Sequence, residues 1–438
     1  MDDPRGVPVS TDDPNNLEMF EAALRTLNTY NGDAVALIDA ALDADPGFVM
    51  GHVFRAQVHV TLWEKSAVAE VEVSLARLRD LDYRSNDRER RHVRALEQWA
   101  AGDWDGMRGE LDRLLAEHPR DLLALQIGHL ADFFHGDRDN LRGRVFRALP
   151  SWSREDTGYS FVLGMLAFGQ EECGSYAEAE ETGRQALALD PDDCWAHHAV
   201  AHVMEMEGRQ SEGIAFMEER REHWAQADNA FAYHNWWHTA LYHLDQGRAD
   251  RALEIYDHGI HTEPSEFQVT MLDAVALLWR LHLQGLEVGD RWDELASAYD
   301  GGVEDGFYAF NDMHAMMAYA ATGRAARAAK LLAAMEARAG EGGTGGAMTR
   351  SVGLPITLAV EAFGRERYAE TVDLLMPVRY RAAIFGGSHA QRDIVHRTLI
   401  EAALRAGNGP LARALVNERL ALRPDCPFNR QLRERAAA

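Results

Sequence analysis

At 438 residues the chain is long enough for roughly three domains of about 150 residues each. An apolar share of 46% and a charged share of 26% exclude collagen, wholesale disorder and a disulfide mini-scaffold. With 45 basic against 70 acidic side chains the net charge is −25, which repels phosphate backbones and anionic lipid and argues against nucleic acid or a membrane surface as the main partner.

The N-terminus is acidic and broken by proline, and residues 1–15 read as a flexible tail with no apolar signal-peptide core. No apolar run approaches the about 18 residues of a membrane span. The three cysteines, Cys173, Cys194 and Cys426, form no C-x-x-C pair and no even framework. A reducing, cytoplasmic setting is expected.

From residue 16 onward a spacing recurs. Gly102 and Pro119, Gly174 and Pro191, Gly247 and Pro264, and Gly407 and Pro424 all stand 17 residues apart. A small residue follows three of these glycines by five, Ala179, Ala252 and Ala412, and Gly208 with Gly213 and Gly323 with Ala328 keep that spacing without the proline. Glycine lets the chain turn between antiparallel helices, the small residue lets them approach closely, and proline stops the second helix. The turn glycines 102, 136, 174, 208, 247 and 323 lie mostly one or two units of 34 to 39 residues apart, and Gly285 fills the longest gap.

That period, with segments such as SYAEAEETGRQALALDPDD, resembles the tetratricopeptide repeat. One such hairpin cannot bury its own apolar face, so neighbours stack. The expectation is therefore an all-α, tetratricopeptide-like α-α superhelix over residues 16–438, a single solenoid of stacked hairpins. Gly340–Gly346 is expected as a flexible loop within it.

Histidines concentrate on particular helix faces. Counting Gly208 as repeat position 15, Trp195, His198, His202 and Glu205 take positions 2, 5, 9 and 12, one stripe on the concave side. Residues at i and i+4 lie roughly 5–6 Å apart, which lets His198 and His202 act on one ion or substrate. Glu205 is then a third ligand, a base, or an orienter of His202. His-x3-His with a carboxylate suits zinc or another first-row divalent ion, without being the H-E-x-x-H protease motif. The competing reading is a solvated groove face that grips a ligand by hydrogen bonds alone.

The next hairpin repeats the pattern with His234 and His238 flanking Asn235 and Trp237. His234 and Trp237 take groove positions, whereas His238 is split between core and site, and His243 reads as structural. Trp195 and Trp237 could stack on a flat ligand. Asn311 and His314 echo Asn235 and His238, with Asp312 placed to orient His314. Further on, Ser388 and Gln391 form a capping box opening a helix. There His389 and Arg392, with Arg379 and Arg381 upstream, offer a docking spot for a carboxylate or phosphate. Cys194 near a helix start reads as inert.

The strings WAHHAVAHVMEMEGR, YHNWWHTALYHLD, FNDMHAMMA, SVGLPITLA and RYRAAIFGGSHAQRD follow one another between Trp195 and Asp393. In this order they resemble the tetratricopeptide repeat protein 38 family. The resemblance implies a cytosolic helical-repeat protein and a candidate surface, but no reaction.

Two functions compete at this point. One is a chamber binding a small polar or anionic molecule, with His198, His202, Glu205, His234 and His238 as acid–base or metal-assisted catalytic groups of hydrolase, lyase or isomerase type. In it Trp195, Asn235, Trp237, Asp312, His314, His389 and Arg392 contact the ligand. The other is a non-enzymatic scaffold taking a peptide or partner protein on the same face. A homo-oligomer is compatible with either.

Overall fold

The computed structural model describes residues 1–265 and 267–437, in 25 α-helices with short 3₁₀ and π turns between them. Among the described residues the only extended pairings are two isolated bridges, Asp2 with Pro8 and Asn31 with Asn229. The fold is all-α, built from helical hairpins of the tetratricopeptide kind.

The turn signals work as the spacing predicts. Gly174 and Gly247 hold left-handed backbone, with φ of 80° and 77°, between helices Tyr159–Glu172 and Tyr176–Leu189 and between Ala232–Asp245 and Ala249–Ile255. A residue with a Cβ avoids that region. Five residues past the turn the small side chain lies fully buried at Ala179, Ala252 and Ala412. At Gly213 an added Cβ would come within 2.5 Å of the Tyr242 ring, so the two helices touch through the missing side chain. Asp103, Asp121 and Asp137 cap helix starts by accepting a backbone N–H, and Ser388 with Gln391 forms the expected capping box.

The chain forms two compact units, Met1–Val200 with Gln226–Phe231, and Ala201–Ala225 with Ala232–Ala438. The first stacks five complete hairpins, from Pro14–Thr29 with Ala34–Ala44 to Tyr159–Glu172 with Tyr176–Leu189. Residues 1–15 are expected as a loose tail, but the stretch before helix Pro14–Thr29 packs onto this unit. Arg5 pairs with Asp3 at 2.6 Å and Glu21 at 2.5 Å, Val7 and Val9 are buried, and the Ser10 N–H donates to Glu89. Two buried valines and a paired arginine outweigh what the prolines suggest.

The second unit is built from Ala232–Asp245, Gln268–Leu283, Ala309–Ala321, Leu354–Gly364 and His389–Arg405, each followed by its hairpin partner. The Gly-rich segment expected as a loop continues helix Ala325–Gly340 and then turns into helix Gly343–Met348. Gly345 and Gly346 are closely packed there, whereas Gly340 and Gly342 have open space where a Cβ would sit. A Cβ on Gly346 would lie 2.4 Å from the Glu341 carbonyl oxygen.

Candidate histidine centre

Helix Ala232–Asp245 is buried along nearly its whole length. Its 3–4 spacing puts His234, Trp237 and His238 on one face. Facing them within the second unit are His202 and Glu205, one turn apart on the later part of helix Cys194–Met206, and Asp273 on helix Gln268–Leu283.

The rings of His202 and His238 lie 4.3 Å apart, centroid to centroid, and those of His234 and His238 4.9 Å. One ring nitrogen from each of His202, His234 and His238 falls within 4.8 Å of the others. Behind them stand two carboxylates. The Nδ1–H of His234 donates to Asp273 Oδ2 at 2.6 Å, and that of His238 to Glu205 Oε2 at 3.1 Å. Glu205 in turn lies 3.8 Å from Arg423. None of the three rings or two acids is more than 7% exposed.

In the His238–Glu205 pair both groups have lowered pKa values. Burial lowers the His238 pKa more than Glu205 raises it, so the ring is neutral. Burial alone would raise the Glu205 carboxyl, but the His238 hydrogen bond and the charges of Arg423 and Arg280 outweigh it and hold the acid ionised. A neutral imidazole donating Nδ1–H to a carboxylate presents Nε2 as a lone-pair donor.

The remaining expected residues differ in their surroundings. His198, a turn before His202, belongs to the first unit and packs against Phe168, Trp195 and Phe231 with ring centroids 4.8 to 5.4 Å away. Trp195 is one wall of that aromatic cluster, with Tyr30 and His129 on it as well. His198 and Trp195 are thus embedded among aromatic side chains instead of lining an open groove. Trp237 is fully buried, stacked on His234 at 5.5 Å and edge-on to His238 at 5.0 Å. Asn235, equally buried, has neither side-chain atom hydrogen-bonded.

His314 bonds through Nδ1 to the Phe310 carbonyl of its own helix, and burial pushes its pKa down to about 4. Its orienting partner is therefore backbone and not Asp312. The Asp312 carboxyl is pushed up to about 8 by burial and by Asp305. His389 opens the helix His389–Arg405 and is half-buried. Arg392 donates to the Gly387 carbonyl, which turns the expected anion anchor into a brace for its own turn.

Two residues escaped the sequence reading. Asp273 and Arg280 are the only carboxylate and the only guanidinium on the helix QVTMLDAVALLWRLHL, seven positions apart on one face. Isolated charges on a helix this apolar are the available signal, because burying them demands partners.

No known protein-family model matches the chain. Solved structures similar to it include the human IFIT1 dimer with PPP-AAAA, at 13% identity over 98% of this chain and 95% of that one, with a TM-score of 0.41. Yeast Tom70 is 14% identical over 97% and 87%, with a TM-score of 0.38. The APC/C hetero-tetramer Cut9-Hcn1 is 13% identical over 98% and 97%, with a TM-score of 0.29. Likeness at this level carries no conclusion about the histidine centre.

Proposed function

We propose that this helical-repeat protein holds a first-row divalent cation, zinc foremost, on His202, His234 and His238 and presents it to a small polar or anionic molecule. The observation that carries the reading is the pair of buried imidazole–carboxylate contacts, His234–Asp273 and His238–Glu205, converging with His202 on one spot. Metal-binding histidines characteristically donate their second N–H to a carboxylate, which fixes the tautomer and aims the ligand nitrogen. Three protein ligands with a position left over is the arrangement of catalytic zinc.

In this reading Glu205 and Asp273 orient ligands and are not themselves bound to the ion. A bound ion supplies Lewis acidity, polarising a substrate oxygen or lowering the pKa of a water, which suits hydrolase, lyase or isomerase chemistry. Trp237 and Asn235 stand beside the histidines, and Asn235 offers a donor and an acceptor to a ligand. Near-complete burial of all these groups favours a small molecule over a peptide.

The test is elemental analysis of untagged protein loaded with zinc and dialysed, beside His202→Ala and His238→Ala. About one ion per chain, lost in both variants, is the expected result. A wild-type chain that retains none removes the metal reading.

A further inference from the structure

The second unit contains a buried cation with no anion in contact. Arg280 is 1% exposed. Its Nη1 donates to the Ala276 carbonyl at 2.8 Å and its Nη2 to the Ala390 carbonyl at 2.7 Å, while Nε makes no hydrogen bond. Among the described residues no carboxylate lies within 4.0 Å of it. The contrast with its neighbours is clear. Arg397 holds Asp245 at 2.8 Å and Asp393 at 2.7 Å, and Arg419 pairs with Asp393.

Four guanidiniums, those of Arg280, Arg397, Arg419 and Arg423, thus share three carboxylates, Asp245, Asp393 and Glu205. The surplus falls on Arg280. Two more shielded donors, Arg397 Nη1 and Arg423 Nη1, also lack hydrogen bonds. Burial and the charge of Arg397 pull the Arg280 pKa down to about 10, as expected of a cation short of a counter-charge. A buried charge is costly unless paired, so a surplus cation in an interior is retained at a cost that a ligand can offset.

Arg280 is also coupled to the histidines. Its guanidinium lies 5.1 Å from the centre of the Trp237 ring, and that ring stacks on His234. Its charge acts on Glu205 and on His314.

We infer that Arg280 is the docking point for an oxyanion, a carboxylate or phosphate carried by the small molecule that reaches the histidine centre, with Arg423 as its second donor. The inference rests on the small-ligand reading above but not on the metal. A planar guanidinium matches either oxyanion in a two-pronged contact that an ammonium cannot reproduce. Arg280 thus takes the anion-docking part expected of Arg392.

Isothermal titration with inorganic phosphate and with succinate, each on zinc-loaded and on chelator-stripped protein, decides it. One of the two probes should bind saturably to the wild type, and which one does identifies the oxyanion. Affinity should fall by about 10- to 100-fold in Arg280→Met, the loss of a charged hydrogen bond. It should survive in His202→Ala, so a protein without metal that still binds the anion separates the two ideas. Failure of both probes to bind the wild type saturably, or unchanged affinity in Arg280→Met, overturns the inference. Should Arg280→Met not fold, the less buried Arg423→Gln decides. A several-fold weaker probe supports the site and unaltered binding rejects it.

Discussion

The Nδ1–H of His238 donates to Glu205 Oε2 across 3.1 Å, with the ring fully buried and the acid 3% exposed. The contact joins two helices of one unit and fixes which nitrogen of His238 is offered elsewhere. Replacing Glu205 by Gln keeps the shape but removes the charge that polarises the imidazole. Zinc affinity, read by competition with a chromogenic chelator, should fall by about 10- to 100-fold while the helical content stays constant. Equal affinity in Glu205→Gln and wild type would show that the carboxylate does not orient a ligand.

The buried histidines set an acid limit on stability. His129 in the first unit and His314 in the second are each held neutral by burial, their pKa pushed down to about 4. In the unfolded chain they titrate near the ordinary value of about 6.5, so the unfolded state binds more protons below that pH. Stability from this source is complete above about pH 6.5 and drains as pH falls towards 4, by up to about 3 kcal/mol for each ring. Urea midpoints measured from pH 7.5 to 4.5 should therefore decline on the acid side. His314→Gln should flatten that decline, and an unchanged slope would count against a neutral buried ring.

Asp312 carries the opposite sign. Its folded pKa is raised to about 8, so its protonated form suits the fold. The contribution is fully present below the ordinary carboxyl value of about 3.9 and is lost as pH rises towards 8. Asp312→Asn should be close to neutral at pH 5 and stabilising at pH 9, on the order of 2 kcal/mol once relaxation around a buried charge is allowed for. Thermal melts at the two pH values check it, and a variant that loses stability at pH 9 would point to a partner that needs the carboxylate.

Much of this architecture is legible in the residues, because its causes are local. Gly174 and Gly247 turn the chain because glycine reaches left-handed φ without a Cβ clash, and the prolines 17 residues after the glycines follow the ends of the second helices. The meeting of His202, His234 and His238 follows from i, i+4 spacing repeated in successive hairpins. The second partner of each ring does not. Asp273 lies 39 residues from His234, and only packing brings the two side chains together. The same holds for His198, one turn from His202 yet enclosed by Phe168 and Phe231 from elsewhere in the first unit. Arg392 looked like an anion anchor because its own turn could not be seen to occupy it.

Gly213 tests the packing rule behind the repeat. It sits five residues past the turn glycine Gly208, where an added methyl group would stand 2.5 Å from the Tyr242 ring, and the Tyr242 hydroxyl is anchored by a 2.6 Å hydrogen bond to the Ala201 carbonyl. Helix propensity alone favours alanine there by about 1 kcal/mol, because glycine is the poorer helix former. The anchored ring cannot give way without losing its hydrogen bond, so overpacking wins. Gly213→Ala should lower stability by about 1–3 kcal/mol in urea titration. Gly213→Ala combined with Tyr242→Phe, which frees the ring, should recover part of that loss. A gain of stability in the single variant would mean that the two helices do not approach as closely as the missing side chain allows.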